Sequence, residues 1–248
     1  MATINSKGQL SGTVGGYSFR VVNGKAIVQS KPGKNKMKQT EGTKSSASEF
    51  GIANSTAKKI RSFLLPIIQN LADPKMHNRF AVKIYEAVLA GTSLPKGKRT
   101  FAEGDLNLLS GFQFNSNSPF QKFASFAIEA SLNNLGQVKI ALPEITASEQ
   151  LYFPEYASGG MLCFLVTAFD KDGYNESYSE VFKVAVPKRN SIVTPQEWST
   201  PELPADHIVF VSRAIFFHQN IQHMGATVLN SKKLHPAEVV SVFKTAVV

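Results

Sequence analysis

The dipeptide Asn23-Gly24 constrains this chain more than any other pair of neighbours in it. It stands between YSFRVV (17–22) and KAIVQS (25–30), two runs rich in β-branched and aromatic residues. A two-residue type I′ turn needs positive φ at both central positions, and Asn and Gly tolerate that conformation. A turn of that length fixes the register of the strands beside it. Val22 is expected opposite Lys25, Val21 opposite Ala26, Phe19 opposite Val28 and Tyr17 opposite Ser30. One face of the ribbon then carries Tyr17, Phe19, Val21, Ala26 and Val28. The other carries Ser18, Arg20, Lys25 and Gln29, with Val22 and Ile27 among them. A lone two-stranded ribbon is marginal in water, so this one must lie on something. The polar, Gly-rich residues 1–14 before it are expected to be extended.

A basic arm follows the ribbon. Lys31, Lys34, Lys36 and Lys38 fall within the eight residues KPGKNKMK, which hold no acid. The first 40 residues contain seven basic side chains and no acidic one, and residues 1–99 hold 17 Lys/Arg against 4 Asp/Glu. Residues 100–248 hold 10 against 14, so the net charge of +9 hides a basic half and a mildly acidic one. Such asymmetry points to a partner carrying negative charge, either nucleic acid or the acidic half of a neighbouring copy. A solvated loop is the plainer alternative. Lysines neutralise phosphates without reading bases. Arg20 is the only arginine in residues 1–60, which argues against specific base readout. The candidate contact residues are therefore Arg20, Lys25, Lys31, Lys34, Lys36 and Lys38. Lys58, Lys59 and Arg61 in the following helix join them, with Lys96, Lys98 and Arg99 in a second basic cluster.

Beyond the arm, Ser46-x-x-Glu49 offers a capping box. Apolar residues then recur at helical spacing from Ala47 through Ala53, Ile60 and Ile67 to Leu71. Pro66 should break this helix near Ser62 or Phe63. A second helix fits 75–90, with Met76, Phe80, Ile84 and Val88 on one face and Gly91 as its C-cap. Residues 92–105 read as a linker. After it the hydrophobic period becomes two, with candidate strands at 107–114, 121–131, 136–142, 151–153, 161–169, 178–186, 207–217 and 237–247. Short strands without intervening helices indicate an antiparallel sandwich. The expected class is α+β: a hairpin and basic arm over 1–44, a helical platform over 45–91, and a sandwich over 106–248. The Pro-rich stretch 187–204 is a possible sub-boundary.

Two resemblances bear on this layout. MLCFLVTAFDKDGYNESYSEVFKV, beginning at Met161, resembles the last hairpin of fibronectin type III and related immunoglobulin-like domains. There an apolar strand ends in Ala-x-Asp, a Gly turn follows, and the final strand opens Ser-rich. This implies an immunoglobulin-like C-terminal sandwich. Gly12-Thr-Val-Gly15, Ser30-Lys31-Pro32 and Thr40 before a polar helix resemble an uncharacterised bacterial family, which pairs such an N-terminal module with immunoglobulin-like strands. Members open the helix with Gln/Arg-rich residues, where this chain has SSASEF at Ser45 to Phe50. The family has no assigned reaction, so the resemblance implies an architecture alone.

No stretch states an enzymatic activity. Gly12 to Gly16 lacks the spacing of a phosphate loop. Asp170 to Glu176 has its Gly fourth rather than sixth, which suits a β-turn better than a calcium loop. His218 and His223 are five apart, off the helical i,i+4 pairing of a zinc site. Cys163, the single cysteine, sits in an apolar run and reads as a small buried hydrophobe. No Gly-x-Ser-x-Gly elbow occurs. We expect no cofactor and no catalysis. No apolar h-region opens the chain and no window could span a membrane, so synthesis in the cytoplasm is expected. The expected role is structural: a subunit of a phage virion, an injection machine or a surface filament, joined to other copies or other subunits through the hairpin and arm. Nonspecific nucleic-acid binding through the lysines is the alternative.

Overall fold

A computed structural model describes residues 1–31, 39–173, 175–221 and 225–246. The chain divides into two compact units, Met1–Lys44 and Ser45–Val248.

The first unit is an antiparallel meander of four strands in sequential order: β1 (Ala2–Ile4), β2 (Leu10–Val14), β3 (Tyr17–Val22) and β4 (Lys25–Ser30). Asn23 and Gly24 have φ of 50° and 78°, as a type I′ turn demands. The register of β3 on β4 follows, with Val22 on Lys25, Val21 on Ala26, Phe19 on Val28 and Tyr17 on Ser30. Residues 1–14, expected to be extended, are so in two further paired strands, β1 and β2. Gly15 (φ 55°) turns β2 into β3. Between β1 and β2 the Asn5 carboxamide oxygen accepts from the N–H of Lys7 and of Gln9, folding residues 5–9 back on themselves.

The second unit is built on one long antiparallel sheet. The sequence-read helices form first: α1 (Glu41–Phe63), α2 (Leu65–Ile68) and α3 (Met76–Ala90). The start of α1 corrects the expected capping box. Thr40, not Ser46, sits at the N-cap, its Oγ1 accepting from the N–H of Thr43 at 3.2 Å. Leu64 interrupts the helix just before Pro66. Gly91 is the C-cap of α3 as expected, its N–H donating to Val88 O, but its backbone is extended (φ −66°) rather than left-handed. It is there for close approach: a Cβ at Gly91 would lie 2.6 Å from the carbonyl oxygen of Glu103.

The remaining elements are β5 (Glu129–Leu132), β6 (Val138–Leu142), β7 (Ile145–Thr146), α4 (Ala147–Gln150), β8 (Gly159–Asp170), β9 (Glu176–Val186), β10 (Ile192–Val193), β11 (Gln196–Ser199), β12 (His207–Ile221), β13 (Gly225–Val228) and β14 (Ala237–Lys244). β8 pairs with β9 on one edge and β12 on the other, and the far edge of β12 is shared end to end by β14 and β13. A smaller sheet runs β11-β6-β5, and β7 pairs with β10. The expected strand at 107–114 is not a regular strand, and of the one expected at 121–131 only the end, in β5, is. Short 3₁₀ turns open both stretches, at Leu106–Leu109 and Phe120–Lys122. Residues 111–114 instead lie beside β14, with Gly111 N–H donating to Val239 O and Phe114 N–H to Ala237 O.

The run LCFLVTAF explains the layering. An unbroken apolar strand is one whose two faces are both covered. Leu162, Phe164, Val166 and Ala168 pack with Val138, Ile140 and Leu142 of the small sheet, where Trp198 stacks on Phe182 at 5.5 Å and meets Phe164 at 5.6 Å. Cys163, Leu165 and Phe169 point the other way, into a core shared with Ile60, Leu64, Phe80, Ile84 and Val88 of the helices. Residues 45–91 thus share one core with the long sheet, which the helices cover on one side and the three-stranded sheet on the other. The class is mixed α+β with antiparallel sheets.

Candidate assembly interface

The first unit presents an unusual surface. Directly opposed residues of an antiparallel ladder project to the same side. Reading the registers across the meander, one face comprises Ala2 and Ile4, then Leu10, Gly12 and Val14, then Tyr17, Phe19 and Val21, then Ala26, Val28 and Ser30. No charged side chain stands on it. None of the described residues of this unit is buried. Ile4 is 70% exposed, Val14 55%, Tyr17 56% and Val28 58%. Thr3, Ser11, Thr13, Ser18, Arg20, Lys25 and Gln29 occupy the other face, with Val22 and Ile27 among them. The sheet is therefore amphipathic, with Arg20 and Lys25 on the more polar side and, among the described residues of this unit, no second layer. Ser30 ends β4, and the Lys31 N–H closes that end on Gly16 O at 2.7 Å.

Sequence reasoning found the β3–β4 half of this face and missed the rest. The signals for the missing half are present: Leu10, Gly12 and Val14 alternate, and Gly15-Gly16 is a two-residue hairpin linker. Gly12 permits the close pairing of β1. Its φ is 118°, and a Cβ there would sit 2.5 Å from Met1 O.

The candidate cations scatter. Arg20 and Lys25 share the polar face, and Lys31 follows directly. Lys34, Lys36 and Lys38 lie outside the described residues. Lys58 is exposed on α1, and Arg61 donates through Nη1 to His77 O at 3.3 Å. Lys96 and Lys98 are exposed in the loop after α3. Arg99, expected as a contact residue beside them, is turned inward instead. Its Nε meets Glu49 Oε1 at 2.9 Å and its Nη1 meets Leu89 O at 2.7 Å. Glu49, expected in a capping box, is fully buried at mid-helix and also accepts the Gly97 N–H at 2.6 Å. Desolvation raises its pKa, but Gly97 and Arg99 outweigh that and hold the carboxyl below its usual range.

Elsewhere the polar groups are structural. Asp170 accepts from Asn175 in a tight turn. Burial pushes the Cys163 thiol up to about 11, so it is protonated at neutral pH. His235 is buried, held between Ile67 O at 2.8 Å and Asn230 at 3.1 Å. A 680 Å³ cleft beside α3 is lined by Val82, Phe112 and Pro119, with Arg79 over the Phe112 ring at 5.1 Å and ion-paired to Asp73. Among the described residues no group of three or more His, Cys, Asp or Glu is placed to hold a metal ion. Among them, too, no helix is long and apolar enough to cross a membrane. No family model, curated protein or solved structure matches the chain.

Proposed function

We propose that this protein is a non-enzymatic building block of a larger assembly, such as a virion, an injection machine or a surface filament. Its subunits join through the N-terminal sheet and the basic arm after it. One observation carries the reading: a four-stranded sheet with one apolar face and, among the described residues of its own unit, no second layer. The apolar face of a sheet is normally buried against another layer, and a contiguous exposed one marks an interaction site. The second unit, with two cores of its own, is the body that the sheet tethers, and we read its long hairpin as immunoglobulin-like. The cations of residues 1–40 and the acidic balance of residues 100–248 suit attraction between copies.

Removing residues 1–38 spares the Thr40 cap of α1 and tests the reading. The truncated protein is expected to fold and to run as a monomer beside an oligomeric full-length chain in light-scattering chromatography. An unchanged oligomer refutes the proposal. A nucleic-acid role predicts instead that the full chain is retained on DNA, with retention falling steeply as salt rises.

A further inference from the structure

Resting on that reading, we infer that the occupant of the apolar face is the same face of a second copy, the two meanders closing into an eight-stranded sandwich. Three features of the face select this partner. It carries no charge, so two copies meet without repulsion, and Arg20 and Lys25 end on the two outer surfaces of the pair. Along β1, β2 and β4 the large Ile4, Leu10, Val14 and Val28 alternate with the low positions Ala2, Gly12, Ala26 and Ser30, while Tyr17, Phe19 and Val21 make β3 a continuous ridge. A two-fold axis lying between the two sheets, parallel to the strands and over the Gly12–Phe19 pair, sets Gly12 of one copy opposite Phe19 of the other and Ala2 opposite Val28.

The third feature is size. Four strands about 4.8 Å apart and about five residues long give a face of roughly 300 Å² in projection, and roughly twice that in accessible surface. Closing two such faces removes roughly 1,200 Å², the lower end of what stable interfaces bury. Edge pairing through β4 does not serve instead. It lengthens the sheet and leaves twice as much apolar face in water.

Charge placed on either side of the sheet separates the possibilities. The full-length Val14→Lys/Val28→Lys variant puts two cations on the apolar face. Thr13→Lys/Gln29→Lys puts the same two on the polar face of the same strands. The first is expected to halve the solution mass and the second to leave it unchanged. In a Cys163→Ala background, Val21→Cys is expected to cross-link between chains with a flexible bis-maleimide. Its neighbour Val22→Cys, on the opposite face, is not.

An apolar-face variant that keeps the wild-type mass, while removal of residues 1–38 yields a monomer, overturns the sandwich and leaves the assembly reading intact. A full-length chain that is itself monomeric, or an oligomer that survives the removal, overturns both. If the lysine variant unfolds, the cysteine pair decides: cross-linking that is equal or absent at both positions rejects the sandwich.

Discussion

Arg99 and Glu49 stand 50 positions apart in sequence and 2.9 Å apart in space, joining the loop after α3 to the middle of α1. Glu49 has no solvent exposure, and its Oε2 has no hydrogen-bond partner among the described residues. Its charge therefore depends on Arg99 and the Gly97 N–H. Removing one member of a buried pair leaves the other charge uncompensated.

Arg99→Ala should therefore cost about 3 kcal/mol of stability in urea denaturation, at the low end for a broken buried pair. Lys98→Ala, one residue away and exposed, should change it by less than about 0.5 kcal/mol. The carboxyl of Glu49 is held below its ordinary value of 4.5, so its stabilisation is present above that pH. It is lost as pH falls through the lower, folded-state value. Equal losses for the two variants would show that Arg99 carries no special weight.

His235 sets a second pH dependence, of different origin. Burial disfavours its charged form and lowers its pKa from 6.5, although the bond to Ile67 O opposes the shift. The unfolded chain then takes up the proton first. Stability is complete above about pH 6.5 and declines as pH falls below it. The urea midpoint of the wild type should drop between pH 7.5 and 5.5 (about one unit either side of a free histidine). In His235→Gln, whose amide can still donate and accept, the midpoint should stay level over that interval. A wild-type midpoint that does not move would contradict the neutral, buried imidazole.

Gly12→Ala tests the meander. The substituted residue must hold φ at 118° and place its Cβ against Met1 O, a strain of about 1–3 kcal/mol. Hydrogen exchange should accelerate at the amides of β1 and β2, while those of β8 and β12 keep their protection. Unchanged exchange in residues 1–14 would mean that β1 does not pair as described.

The legible parts of this fold were those with local causes. Asn23, Gly24 and the alternation beside them state the β3–β4 register within 14 residues. The unbroken apolar run at 162–169 and the Pro66 break were equally local. The parts misread depend on distant partners. Ser46-x-x-Glu49 has the spacing of a cap, but the Thr40 hydroxyl already caps the helix, and the carboxylate of Glu49 is bound by Arg99 far along the chain. Leu106, Leu109, Phe112 and Phe114 alternate loosely like a strand, yet 3₁₀ turns deliver them into the core beside α3 and β14. The basic residues were legible as charge but not as surface, since no spacing rule distinguishes exposed Lys98 from inward Arg99. The first two strands were passed over because the Asn5 side chain, rather than a turn dipeptide, shapes the loop between them.

The meander's ladders join only residues 2–30, whereas the long sheet is not complete until β14, at 237–244, reaches β12. Contacts between sequence neighbours close early and distant ones late. During translation the sticky face is therefore ready while most of its own body is still being made. On the proposed pairing, nascent chains on one messenger meet through it before either has finished folding.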